Sequence, residues 1–190
     1  MILKEKTIFA PKNRRSVFPN QFSEKPVSVE AIKTLLEAAN WAPTHRKTQP
    51  WRFKVFREES LDLLADYVTK AYTKVTPEAK FSAFKLKKTL EKVTSSAAVI
   101  VICMQRDPKE SVPEWEEIAA TAMAVQNLWL MTAELGLGGY WSTPGYISEM
   151  HSDLKLADGE RCLGFFYLGA FEDEPLPGER DDIEEKVTWF

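Results

Sequence analysis

The chain has 190 residues, 44% of them hydrophobic, which suits one domain with a full core spanning residues 1–190. Its 28 acidic residues outnumber 25 basic ones for a formal charge of -3, so overall electrostatics give no pull toward nucleic acid and an anionic ligand must find a local positive site. Two cysteines and two histidines without metal-ligand or redox-motif spacing argue against a zinc site.

The opening stretch MILKEKTIFAPKNRRS has no apolar segment long enough for a signal peptide, and no later stretch reads as membrane-spanning. A cytoplasmic protein is expected, with neither membrane nor nucleic acid as a partner. Arg14, Arg15 and Ser16 place two guanidinium forks beside a hydroxyl, which is good chemistry for a phosphate, although by themselves such short basic clusters more often form a solvated turn. Ser28 then caps a helix with Val29, Ile32, Leu35, Leu36 and Ala39 on one face. Pro43 and Pro50 make APTHRKTQPWRF a loop that feeds a strand over Trp51–Arg57. His45 taken alone reads as a surface or structural histidine.

Two amphipathic helices follow, Ser60–Lys74 and Pro77–Val93; the second carries five lysines, read as a solvated face. Ala97–Met104, AAVIVICM, is a continuous apolar run expected to be a central strand covered on both faces. Ser111 and Glu114 have capping-box spacing ahead of a helix that carries no charge from Ile118 to Ala133. Apolar side chains on every face require burial all round, in a core or at an interface. Gly136, Gly138 and Gly139 end this helix, and Tyr140–Gly145 is where a ligand could lie. Ser148 can cap a short helix, and RCLGFFYLGAF over 161–171 reads as a buried strand. Cys103 and Cys162 fall in apolar strand-like runs, where a free thiol behaves as a small hydrophobe. The polar, proline-bearing tail ends KVTWF and is expected to wrap across a surface.

In this order RRS, APTHRKTQPWRF, a long neutral helix ending GLGGYW, and LGFFYLG resemble the nitroreductase family of FMN-dependent oxidoreductases, closest to its minimal-length members. The resemblance implies an α+β fold with a mixed sheet sandwiched by helices, a homodimer with FMN at its interface, and a C-terminal arm of about residues 172–190 crossing to the partner. It implies that Arg14, Arg15 and Ser16 hold the phosphate and ribityl end, with His45 and Gln49 coming from the other subunit. Trp141, Ser142 and Thr143 would close the site, Arg180 would add a phosphate contact, and Met131–Gly136 would meet the nicotinamide cofactor. Phe18 stands where many relatives carry a cation near the flavin, and Ser142 where an arginine usually follows the tryptophan. Either Arg46 or Lys47 replaces that charge, or the cofactor has a lower potential. The activity implied is hydride transfer from NADH or NADPH through flavin N5 to nitro compounds, quinones or similar small-molecule acceptors by a ping-pong cycle, with no catalytic side chain and no metal. The alternative is a non-catalytic or specialised flavin-binding dimer on the same fold.

Overall fold

The structure, a computed structural model, describes residues 11–173 and 177–190. The first ten residues, with most of the stretch scanned for a signal peptide, and positions 174–176 of the arm lie outside the described residues. Helix α1 runs Val29–Asn40, and the Ser28 hydroxyl accepts the Ala31 N–H as its cap. Strand β1 (Trp51–Arg57) and helix α2 (Ser60–Val75) follow the sequence pattern closely. The next helix does not begin at Pro77. That residue opens a separate 3-10 turn, Glu78–Lys80, and helix α3 spans Ala83–Thr94 with the Ser82 hydroxyl accepting the Lys85 N–H.

Strand β2 (Ala98–Gln105) leads to helix α4 (Glu114–Glu134). The expected capping box is absent: Pro113 holds the cap position, and the Ser111 hydroxyl and N–H both donate to the Asp107 carboxylate instead. Two further strands complete the sheet, β3 (Leu137–Ser142) and β4 (Glu160–Ala170). Between them a 3-10 turn over Ile147–Met150 starts from Tyr146 rather than from a Ser148 cap.

The strand order is β1-β2-β4-β3, and every pairing is antiparallel. The mixed character implied by the resemblance is therefore not present among the described strands of one chain. Strict alternation along β2 divides the core in two. Ala98, Ile100 and Ile102 face α1 and α4, while Val99, Val101 and Cys103 face α2 and α3. Both sides are covered, which explains why the strand reads as an unbroken apolar run.

Strand β4 changes parity partway along. Phe166 and Leu168 join the α1/α4 side and Phe165 and Tyr167 the α2/α3 side, yet Cys162 lies on the same side as Phe165. A register irregularity opposite Ile102 and Cys103, with Gly164 at φ 141°, accounts for the switch.

Helix α4 is only half covered in a single chain. Ala120, Thr121, Ala124, Val125, Leu128 and Thr132 are buried, whereas Trp115 and Met123 stay 67% and 40% exposed. Burial all round would require an interface, since one chain covers only part of this helix. Its first turn instead buries Glu117, whose carboxylate accepts from Arg106 and, at 2.9 Å, from the Asp107 N–H.

Candidate functional site

The segment Arg14–Phe18 crosses the outer edge of β3 from the α4 side of the sheet to the α3 side. Three contacts fix its path. The Trp129 indole N–H donates to the Arg15 carbonyl at 3.1 Å, the Val17 N–H donates to the Gly139 carbonyl at 3.1 Å, and the Phe18 ring lies 4.7 Å from Tyr140. Gly138 makes this approach possible, because a Cβ there would stand 2.7 Å from the Val17 Cβ and Cγ1. Two of the three glycines read from sequence as helix terminators, Gly138 and Gly139, are thus strand residues, and β3 occupies positions that the sequence pattern assigned to a cap and a loop.

Positive charge collects where this segment begins. The Arg14 guanidinium lies 4.4 Å over the Trp129 ring, and its Nη1 is buried without a hydrogen-bond partner among the described residues. Burial, followed by the charges of Arg180 and Arg15, lowers the Arg14 pKa. Arg15 borders two cavities. One, of about 320 Å³, is shared with Arg14, Thr132, Gly136 and Asp173; the other, of about 680 Å³, is shared with Lys12, Asn13, Gly178 and Arg180. The tail leans on Arg15 so closely that a Cβ at Gly178 would meet its guanidinium at 2.7 Å. The tail's Arg180 is thereby brought to the N-terminal arginines across most of the sequence. Three guanidinium groups converging with an unsatisfied buried donor call for an anion with several oxygens, such as a phosphate.

The other end of the segment meets a residue that sequence reasoning missed, Lys92 of α3. Phe18 is 46% exposed and lines a cavity of about 490 Å³ with Pro19, Asn20, Lys88, Glu91, Lys92 and Ser95. Lys88 is paired with Glu91 at 2.8 Å, whereas the Lys92 ammonium sits 5.8 Å from the Tyr140 ring centroid. A cation therefore stands beside Phe18, supplied by α3. The spacing of Lys88 and Lys92 put them on one helical face, but nothing local showed that this face meets Phe18.

Trp141 and Ser142 end β3, opposite Phe166 and Phe165. The Trp141 indole N–H donates to the Leu163 carbonyl at 3.2 Å and the ring packs with the α1/α4 core. Thr143 is exposed just beyond the strand, next to a half-buried Pro144. Ser16 is exposed between Arg15 and the buried Val17.

His45 and Gln49 are not brought to this cluster within one chain. The loop after α1 carries a 3-10 turn over His45–Lys47, with Arg46, Lys47 and Gln49 at φ 50°, 57° and 43°. Non-glycine residues in that region are strained by about 1–3 kcal/mol each and cluster at functional sites. The Thr44 hydroxyl holds the loop by accepting the Gln49 N–H at 3.1 Å, and His45 Nδ1 hydrogen-bonds to Glu116 at 2.5 Å. Glu116 opens α4 and Trp129 lies near its end, so His45 and Arg14 attach to points about 20 Å apart along the helix at about 1.5 Å per residue. Arg46 and Lys47 are exposed at the distant end with His45.

An antiparallel sheet is packed between helices, with an arginine cluster beside one edge and a long apolar helix open on one face. The sequence profile described as the Nitroreductase family matches residues 12–170, and the chain belongs to that family. It is 30% identical over 184 residues to the Bacillus subtilis protein YfhC, named for NAD(P)H nitroreductase activity, covering 93% of this chain and 90% of YfhC. The crystal structure of a nitroreductase-like family protein from Bacillus cereus superposes with a TM-score of 0.85 at 30% identity, covering 100% of this chain and 98% of that one. A Desulfovibrio desulfuricans nitroreductase-fold structure in complex with FMN matches with a TM-score of 0.72 at 22% identity, over 99% and 98% of the two chains. Among the described residues no helix is long and apolar enough to cross a membrane, and no group of acidic, histidine and cysteine residues could hold a metal.

Proposed function

We propose that this chain is an FMN-dependent oxidoreductase drawing on NADH or NADPH and working as a homodimer. The observation that carries this reading is the convergence of Arg14, Arg15 and Arg180 around the buried, partnerless Nη1 of Arg14. Bound FMN would supply hydride acceptance from NAD(P)H at N5 and its delivery to a nitro compound, quinone or similar acceptor in a ping-pong cycle.

The chain's own residues bind, orient and tune. Arg14, Arg15 and Arg180 neutralise the phosphate, with Ser16 adding a hydroxyl at the same segment. Lys92 supplies beside Phe18 the positive charge that Phe18 itself cannot, and a cation there favours reduction of a flavin. Arg46 and Lys47 are not needed for that role. Trp141, Ser142 and Thr143 wall the site at the end of β3, with the Trp141 ring held in place by Leu163. No side chain serves as a nucleophile, and water delivers the proton to the reduced acceptor.

The separation of the two half-sites supports the dimer. Two copies of α4 crossing antiparallel would bring the Glu116 end of one against the Trp129 end of the other, so that His45 and Gln49 of the partner subunit face the arginine cluster. The same packing covers Trp115 and Met123. The outer edge of β1 has no strand partner among the described residues, and an apolar groove of about 790 Å³ beside it is lined by Leu36, Trp41, Trp51, Phe53 and Met131. The tail ends in an extended Val187 and the exposed Trp189 and Phe190. A partner's tail laid on that edge would pair the strand and place its aromatic residues in the groove.

An absorbance spectrum of the purified protein followed by anaerobic titration with NADH and NADPH tests the reading. A flavin spectrum that bleaches rapidly with one donor is the expected result. Protein that is colourless and takes up no added FMN would refute it, and bound flavin that stays oxidised would favour the non-catalytic alternative.

A further inference from the structure

The parity switch in β4 places Cys162 directly opposite Cys103 on β2, with both side chains on the α2/α3 face of the sheet. Both are free thiols and both are buried, and the Cys162 thiol donates to the Gly164 carbonyl at 3.8 Å. Opposed residues on antiparallel strands have Cα atoms about 4.5–5.5 Å apart, inside the about 4.4–6.8 Å window for a disulfide. We propose that Cys103 and Cys162 form a reversible cross-strand disulfide on exposure to a hydroperoxide, and that closing it repositions Trp141 and Ser142 at the end of β3.

The chemistry balances with hydrogen peroxide as the oxidant. The Cys162 sulfur attacks one peroxide oxygen; an S–O bond forms, the O–O bond breaks, and the departing hydroxide takes the thiol proton away as water. The Cys103 sulfur then attacks the Cys162 sulfur; the S–S bond forms, the S–O bond breaks, and the second hydroxide leaves as water with the Cys103 proton. Peroxide gains the two electrons that the thiols lose. Cys162 is the better attacking group, because its closeness to Cys103 lowers its pKa while that same closeness and burial raise that of Cys103. Cys162 is also the more open of the two, at 8% exposure against 0%. Glu160, ion-paired to Lys54 at 2.9 Å, sits beside the pair.

The consequence runs through the irregular stretch of β4. Opposed Cβ atoms stand about 4.5–5.5 Å apart in a sheet, whereas a disulfide draws them to about 3.5–4.5 Å. Leu163 and Gly164 follow Cys162 directly. The Leu163 carbonyl accepts the Trp141 indole N–H, and Gly164 lies so near that a Cβ there would meet the Ser142 carbonyl and the indole nitrogen at 2.4 Å. Such tight packing leaves no slack to absorb the contraction, so Trp141 and Ser142 move with it. Disulfide formation depends on the sheet alone; only its effect on catalysis rests on the flavin reading.

The test treats the full-length protein with hydrogen peroxide, denatures it and titrates its thiols. The expected result is a fall from two thiols to none with a monomer mass lower by about 2 Da, as loss of two hydrogens requires, restored by dithiothreitol. Cys103→Ser and Cys162→Ser, each first shown to be folded by circular dichroism, should yield no such product. Two thiols remaining after treatment, or only oxygen adducts or intermolecular disulfides, would overturn the proposal. The indole N–H resonance of Trp141, assigned with Trp141→Phe, should shift on oxidation and return on reduction; a resonance unmoved by a proven disulfide would overturn the coupling. Neither readout requires flavin, so failure here leaves the proposed function standing.

Discussion

Gly138→Ala is the sharpest probe of how β3 holds the arginine segment. The new methyl carbon would lie 2.7 Å from the Val17 Cβ and Cγ1 and 3.0 Å from the Phe171 Cβ, against an optimal carbon separation of about 3.5–4.0 Å. Val17 cannot rotate its own Cβ away, so its backbone must retreat by about 1 Å, at an overpacking cost of about 1–3 kcal/mol. The Val17 N–H to Gly139 carbonyl bond, 3.1 Å long, would then lie beyond hydrogen-bonding range, for about 1 kcal/mol more. The sum predicts a melting temperature lower by about 5–15 °C, at about 2–4 °C per kcal/mol in a chain of this size. Displacing the segment also displaces Arg14 and Arg15, so FMN should bind about tenfold more weakly, a loss of about 1.4 kcal/mol. Differential scanning fluorimetry and fluorescence titration with FMN measure the two effects. Wild-type values of both would refute the claim that the Gly138 contact positions the arginines.

Lys92→Met should leave the fold intact and lower the bound flavin's midpoint potential by on the order of 30 mV, equivalent to about tenfold in a two-electron equilibrium; spectroelectrochemistry reads this, and an unchanged potential would remove Lys92 from the site. Glu117→Ala should destabilise more than Glu117→Gln in urea unfolding, since alanine leaves Arg106 facing an emptied site and orphans the Asp107 N–H, the latter alone costing about 1–3 kcal/mol. The Asp107 carboxyl is held below its ordinary range by the Ser111 hydroxyl and then by the Ser111 and Lys109 N–H groups. Its stabilising contribution is therefore full above the unfolded value of about 3.9 and is lost as pH falls through the lower folded value. Asp107→Asn should flatten the acid limb of the urea midpoint against pH below about 4. Deleting Val187–Phe190 should shift the protein toward monomer in sedimentation and weaken FMN retention, because it removes the tail aromatics proposed to fill the partner's groove.

Local pattern carried much of the architecture. The Ser28 cap, strand β1, helix α2 and the unbroken apolar runs of β2 and β4 each follow from residues within one element, because capping, amphipathic period and two-sided burial are short-range requirements. Strand β3 did not announce itself: LGGYWS has two glycines and follows a helix end directly, so its local signals match a cap, and only pairing with β4 makes it a strand. The boundary of α3 slipped for a related reason, since Pro77 suits any first turn and nothing in the sequence says that the turn will be a detached 3-10 segment.

For the candidate site, the sequence by itself determined the chemistry available: RRS, APTHRKTQPW and the post-helix tryptophan stand in one order and spacing, and these carry the family. Only the tertiary structure decided how they meet. It brought Arg180 back to Arg14 and Arg15, put Lys92 beside Phe18, and fixed His45 at the far end of α4 from the arginines. It also turned Cys162 to face Cys103 through a bulge that period-two reading places on the wrong side of the sheet. Each of these depends on contacts between residues far apart in sequence, and a side chain's identity does not encode which distant backbone will close on it; packing of the whole core does.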